Sequence, residues 1–244
     1  GIRIHGCEIM DEHDERKALA SAMKMIQGGQ AQILMQGAVN NTLFAEMVFD
    51  KKKGLQTASI ISHVWLVEHE QAGRCYMITD TMINKAPTFR QKVSILENAL
   101  FMAHALGTSR PKVAALAALE YVNPSIQSTL DAAVLSKMGD RHQFGHAIIA
   151  GPLDIDCAVS REACRRKNVS SRVTSEVDIY LVADIESGYS FAQFLSFFGR
   201  MDMAGIIMGC ACPVIVNTPF STRKARIAEV AISCILHESR SGDV

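Results

Sequence analysis

Neither sign of charge is in excess in this chain: Lys+Arg and Asp+Glu each number 25, for a formal net charge of zero. Nucleic acid and anionic membranes both demand a basic surplus, so neither is expected as a main partner. No apolar run reaches the roughly 18 residues that a bilayer span needs. The start, GIRIHGCEIMDEHDERK, has neither the apolar core of a signal peptide nor the bias of a transit peptide. The chain therefore reads as soluble and cytoplasmic. G-x-G-x-x-G and G-x-x-x-x-G-K-[ST] are also missing, which removes the main feature of ordinary dinucleotide and P-loop sites. The seven Cys are scattered and odd in number, as expected of free, mostly buried thiols in a reducing compartment. No His or Cys lies at ligand spacing near Cys210-x-Cys212, and no H-x-x-x-H pair falls within a helical pattern, so no bound metal is expected.

What is present is alternation. With 48% hydrophobic residues, 244 positions can form one large or two modest domains with a proper core. RKALASAMKMIQGG is helical with a Gly stop, and AQILMQGAV reads as a strand emptying into a polar loop, NNTLFAEMV. SHVWLVEHE and CYMITD read as an antiparallel strand pair. Helical patterns at APTFRQKVSILENALFMAHALG, STLDAAVLSKMGD, SREACRRKN, SFAQFLSFFGR and TRKARIAEVAISCILHE alternate with strands at KVAALAAL, HAIIAGPLD, VDIYLVAD and AGIIMGCACPVIV. This order implies a largely parallel α/β sheet with right-handed crossovers. Met23, Met25, Met35, Met47 and Met102 read as core filler. Only a strand-like scrap precedes the first helix, so an opening βα unit is expected to be absent from this sequence.

Open α/β folds bind ligands where strands end, so the polar residues after each strand are the candidates. They are Gln36, Gly37 and Asn40–Thr42; Asp80 and Asn84; Glu120 and Asn123; Gly151 and Asp154; Asp184, Glu186 and Gly188; and Asn217, Thr218, Ser221 and Arg223. Each Asn or Asp also reads as an ordinary turn former or helix cap.

Several stretches, LMQGAVNNTLF, ISHVWLVE, ITDTMINKAPTFRQKVSILENA, PKVAALAALEYVNPSIQSTLDAAVLSKM, GPLDIDCAVS, VDIYLVADIESG and AGIIMGCACPVIV, together resemble the phosphate acetyl/butyryltransferase family, the butyryl branch above all. They run in the family's order from about residue 8 to about residue 235. The resemblance implies a two-domain fold like that of isocitrate and isopropylmalate dehydrogenases, with a mostly parallel sheet in each domain and an interdomain cleft. It divides the chain into a discontinuous first domain, 1–95 plus 206–244, and a second, 96–205. It implies a homodimer or higher oligomer and the reaction acyl-CoA plus phosphate giving acyl phosphate plus CoA. No cofactor is bound in such enzymes; coenzyme A and inorganic phosphate are substrates and partners. On this reading Gln36, Gly37, Ser62, Asp80, Asn84, Asn123, Asp131, Asp154, Asp184, Glu186 and Gly188 contact substrate, and Thr218, Ser221 and Arg223 carry the chemistry.

The resemblance breaks at one corner. Relatives end the last strand in a Ser-Arg-x-Asp loop, and here the aligned residues are Thr218, Pro219, Phe220 and Ser221. Neither Pro nor Ser replaces a guanidinium fork or a carboxylate. The family's Met-Lys-Gly is Met35-Gln36-Gly37, and Glu46 stands where relatives carry Arg. Three readings follow: a phosphate acyltransferase with a rebuilt phosphate site, using Arg223 as the replacement cation; a diverged binder of acyl-CoA or another small ligand; or an NAD-dependent dehydrogenase on the same scaffold, which would need a carboxylate cluster for a divalent ion.

Overall fold

The computed structural model describes residues 6–69, 73–218 and 221–242. The first helix, α1 (Glu15–Gln27), starts where the Asp14 carboxylate accepts the Lys17 N–H and stops at Gly28, burying Leu19, Met23 and Ile26. It leads into the short β1 (Leu34–Met35). The stretch after β1, expected as a loop, is instead α2 (Asn41–Val48). Asn40 accepts the Thr42 and Leu43 N–H groups, and Phe44 and Val48, four apart, bury one side. The cap and that spacing outweigh the polar look of Asn-Asn-Thr.

The expected antiparallel pair is β2 (Ser62–His69) with β3 (Arg74–Thr79). Then come α3 (Phe89–Ala105), opened by a Thr88–Gln91 capping box, β4 (Lys112–Leu116), α4 (Gln127–Asp140) and β5 (Ile148–Leu153). Two short helices, α5 (Ile155–Val159) and α6 (Arg161–Arg166), precede β6 (Ile179–Leu181). The next helix, α7 (Ile185–Gln193), begins well ahead of the expected SFAQFLSFFGR because Asp184 caps it, and it runs into a π turn over Phe194–Phe198. The strand region expected over AGIIMGCACPVIV resolves into two antiparallel strands, β7 (Met203–Met208) and β8 (Val214–Ile215). Gly209 turns between them at φ +91°, and a Cβ there would meet the Ile60 carbonyl at 2.2 Å. The long α8 (Arg223–Ser241) follows.

The eight strands among the described residues share one sheet, in the order β1-β8-β7-β2-β3-β6-β4-β5. The sheets expected one to a domain are thus two parallel wings of a single sheet, β1-β8 and β3-β6-β4-β5. They are joined through antiparallel pairings of β7 and β2. One face is covered by α3, α4 and α8, with Leu96, Leu135, Ile206 and Leu236 in its core. The other is covered by α5, α6 and α7 around Trp65, Cys157 and Leu195, and a third cluster joins α1 and α2 to β1 and β8. Among the expected core methionines, Met35 differs: it is 44% exposed, because the alternation of a two-residue strand turns it outward. All seven Cys are free; Cys7, Cys75 and Cys234 are exposed and the other four buried. No described helix is long and apolar enough to cross a membrane.

Candidate active site

At the carboxyl end of β3 the chain folds around one carboxylate. Asp80 accepts the N–H groups of Met82 (3.0 Å), Ile83 (3.1 Å) and Asn84 (3.1 Å), and the Asn84 amide at 2.5 Å. That amide also donates to the Ile61 carbonyl at 2.9 Å, which ties the loop to the start of β2. Asp80 is buried; burial pushes its pKa up, and the four hydrogen bonds pull against it. With its lone pairs directed at this loop, Asp80 holds shape and is not free for proton transfer. Ser62, which follows Ile61 and is buried, accepts the Asn98 amide of α3 at 2.9 Å.

Next to this loop lies a buried ion pair. Lys92 of α3 donates to Asp131 of α4 at 2.8 Å, and Gln127 binds the other Asp131 oxygen at 2.8 Å. Asp184 caps α7, accepting the Ser187 N–H at 2.9 Å and its hydroxyl at 2.8 Å. Its pKa is lowered, first by the Ser187 N–H, with the Lys92 charge contributing. Gly188 brings α7 close in: a Cβ there would meet Val182 at 2.6 Å and the Thr81 Cα at 3.2 Å. Thr81 is anchored from below by the Trp65 indole N–H at 3.0 Å. Between the Thr81 loop and α7 runs a groove of about 450 Å³, lined by Thr81, Met82, Glu186 and Tyr189 among others. The side-chain carboxylate of the exposed Glu186 is committed to no hydrogen bond or ion pair among the described residues.

Asn123 and Asp154 serve neighbouring turns. Asn123 exchanges hydrogen bonds with Thr129 and receives the Ser125 N–H, ordering the entry to α4. Asp154 caps α5 and, with Glu120 and Asp156, surrounds the Lys167 ammonium. The donors of Glu120, Asp154, Asp156 and Cys157 lie within 4.8 Å of one another. Burial alone would raise Glu120, but hydrogen bonds led by Lys167 carry its pKa down, and these same carboxylates raise that of Lys167.

The diverged corner lies where β1 and β8 end side by side. Gln36 accepts the Asn217 N–H at 3.0 Å and donates to Asn41 at 2.7 Å, while Gly37 is exposed with open space over it. Thr218 and Ser221 share a hydrogen bond at 3.1 Å; Pro219 and Phe220 lie outside the described residues. Arg223 is exposed and bound to no described residue. The guanidinium that reaches the loop is Arg226, one turn on. It donates to Asn217 Oδ1 (2.6 Å), the Val216 carbonyl (3.0 Å) and Glu229 (3.0 Å). Glu229 in turn accepts the Gly205 N–H at 3.2 Å, filling the fork where β7 and β8 part. Glu46 faces Arg16 at 3.5 Å on the surface.

The structure therefore gathers Ser62, Asp80, Asn84, Asp131, Asp184, Glu186 and Gly188 in one region, and Gln36, Thr218 and Ser221 in another. Among the described residues no hydrogen bond or ion pair joins the two. Sequence reasoning missed Lys92, Arg226 and Glu229. Their signal was a charge on an apolar helical stripe: Lys92 with Ile95, Leu96 and Ala99, and Glu229 with Ala225, Ile232 and Leu236.

A family profile described as phosphate acetyl/butyryl transferase matches residues 6–234. The phosphate butyryltransferase of Clostridium acetobutylicum is 34% identical over 236 residues, 97% of this chain and 78% of that protein. That of Clostridium beijerinckii is 36% identical over 229 residues, 94% and 76%. Among solved structures, a branched-chain phosphotransacylase from Enterococcus faecalis superposes with a TM-score of 0.83 at 30% identity, covering 92% of this chain and 80% of that one. A phosphotransacetylase from Streptococcus pyogenes, at 21% identity and TM-score 0.75 over 90% and 67%, shares the fold.

Proposed function

The chain belongs to the phosphate acetyl/butyryltransferase family, and from that premise we propose how its own residues divide the transfer of a short acyl group between CoA and phosphate. The observation that supports the reading best is the family match running through nearly every element that frames the groove between the Thr81 loop and α7.

In the forward direction a phosphate oxygen attacks the thioester carbonyl, a C–O bond forms, the C–S bond breaks, and the sulfur leaves with a proton. Positioning and donors aimed at the developing oxyanion supply most of the rate. We assign acyl-CoA to the groove, with Glu186 as its free carboxylate and Asn84 and Gly188 shaping its walls. Asp80, Asn123, Asp131, Asp154 and Asp184 hold these loops in place. At the diverged corner Thr218 and Ser221 offer hydroxyls. Arg223 is the cation available to phosphate, since Arg226 is held by Asn217, Val216 and Glu229. Gln36 and Gly37 fix the β1 edge of that pocket.

The two substrates are the only partners assigned, with no bound cofactor and no nucleic acid or membrane, and we place the protein in the cytoplasm. The division into 1–95 plus 206–244 and 96–205 would run through the groove, with Thr81 and Met82 on the first unit and Glu186 and Tyr189 on the second, and would leave the diverged corner on the first. A second copy of the chain would seat on the exposed Phe194, Phe197 and Phe198, which flank Leu195 in sequence, itself in the wall of a hollow with Ile155, Val159 and Phe191.

A second reading has a specific observation behind it: the Thr218 and Ser221 hydroxyls satisfy each other and Arg223 faces solvent. On that reading the protein binds acyl-CoA without transferring it. One assay separates the two. CoA thiol release from acetyl-, propionyl-, butyryl- and isobutyryl-CoA is followed with and without phosphate. Phosphate-dependent release that Arg223→Ala lowers by about a hundredfold is expected for the rebuilt site. Acyl-CoA binding by calorimetry without release would leave only the binder.

A further inference from the structure

At the far end of the β4–β5 wing, where those strands begin, a groove of about 440 Å³ opens among Arg110, Asp140, His142, His146 and Arg172. The carboxylates around Lys167 follow the opposite end of β5, about 16 Å away at 3.3 Å per residue along Ile148–Leu153. The groove is thus separate from every residue assigned above.

Its chemistry is that of an anion receptor. Arg110 is exposed and makes no hydrogen bond or ion pair with a described residue, and the same is true of His146. Arg172 is anchored by Asp140 at 2.5 Å, so a second guanidinium is held in place at the rim while much of its side chain stays exposed. One carboxylate faces two guanidiniums, which leaves the lining cationic. The C-terminal end of α4 could oppose an anion, but its last carbonyls already accept the N–H groups of Arg141, His142 and Gln143. The imidazoles are not arranged as metal ligands. Among the described residues, the cluster of three or more acidic, His or Cys donors within 4.8 Å is the Glu120 group, which contains neither His.

We propose that this groove binds a small phosphorylated metabolite carrying a diphosphate-like anion, with Arg110 and Arg172 clamping the oxyanions and His142 and His146 donating from the rim. Its volume falls within the range of small-ligand sites. The planar fork of a guanidinium favours phosphoryl oxygens over a lone halide.

The test titrates inorganic pyrophosphate into the full chain by calorimetry and follows amide hydrogen exchange over residues 139–149 in the same sample. Binding that slows exchange in that segment, and that weakens about tenfold in Arg110→Ala, is expected from the loss of one charge-assisted contact. Arg110 is on the surface, so the variant should fold. No slowing of exchange in 139–149, or an unchanged affinity in Arg110→Ala, overturns the proposal. The exchange readout is confined to this segment, and neither readout depends on acyl transfer.

Discussion

His63 sits fully buried in β2 with neither ring nitrogen hydrogen-bonded among the described residues, its ring edge-on to Trp65 at 4.5 Å. Burial pushes its pKa down to about 3 from 6.5. Between those two values the unfolded chain binds a proton that the folded chain refuses, so stability falls as pH falls through that window. The slope approaches 1.4 kcal/mol per pH unit, or about 3 kcal/mol between pH 7 and pH 4. Urea unfolding at both pH values checks this, and His63→Leu should remove that part of the slope. Gly205 belongs to the same arrangement. A Cβ there would meet His63 Nε2 at 2.5 Å and Trp65 at 2.6 Å, so Gly205→Ala should cost about 1–3 kcal/mol in the same experiment.

Among elements, α7 and the β7–β8 fork bear most on the site. Gly188→Ala would push α7 off the Thr81 loop and carry Glu186 with it. The expected result is a loss of up to about a hundredfold in kcat/KM for acyl-CoA, because a shift near 1 Å spoils positioning, together with an overpacking cost of about 1–3 kcal/mol in stability. At the fork, Arg226→Gln leaves Glu229, which is 1% exposed, without its cation. A destabilisation of about 3–5 kcal/mol is expected by denaturant unfolding. The elements were unequally legible in the sequence. Long helices with caps, such as α1, α3 and α8, announced themselves through apolar spacing. Others were hidden where local polarity conflicts with packing: α2 behind Asn-Asn-Thr, and the break between β7 and β8 behind an unbroken apolar run.

Taken whole, the molecule is one sheet with antiparallel centre and parallel wings, and the parallel character was readable from the order of its elements. How the wings join was not, since strand order depends on pairings far apart in sequence such as Ser62 with Met208. Of the polar strand-end residues, the sequence located many correctly at loops, yet it could not show that Asp80 and Asp184 spend their oxygens on backbone N–H groups, or which Arg of α8 turns inward. At this scale the exposed Phe cluster makes a measurable claim. Sedimentation should give a dimer for the wild type, and Phe198→Asp should shift it to monomer at micromolar concentration without unfolding it.

The fork between β7 and β8 has a consequence for how such a protein can change over time. Its strands share a single ladder pair, Ile207 with Val214, and the segment beyond is held by Gln36, Asn217, Arg226 and Glu229 rather than by main chain. Side chains can be exchanged one at a time; a strand ladder cannot. A lineage could therefore rewrite the reactive corner of this scaffold through substitutions at a handful of positions, each compensated locally, while the rest of the architecture stayed as it was.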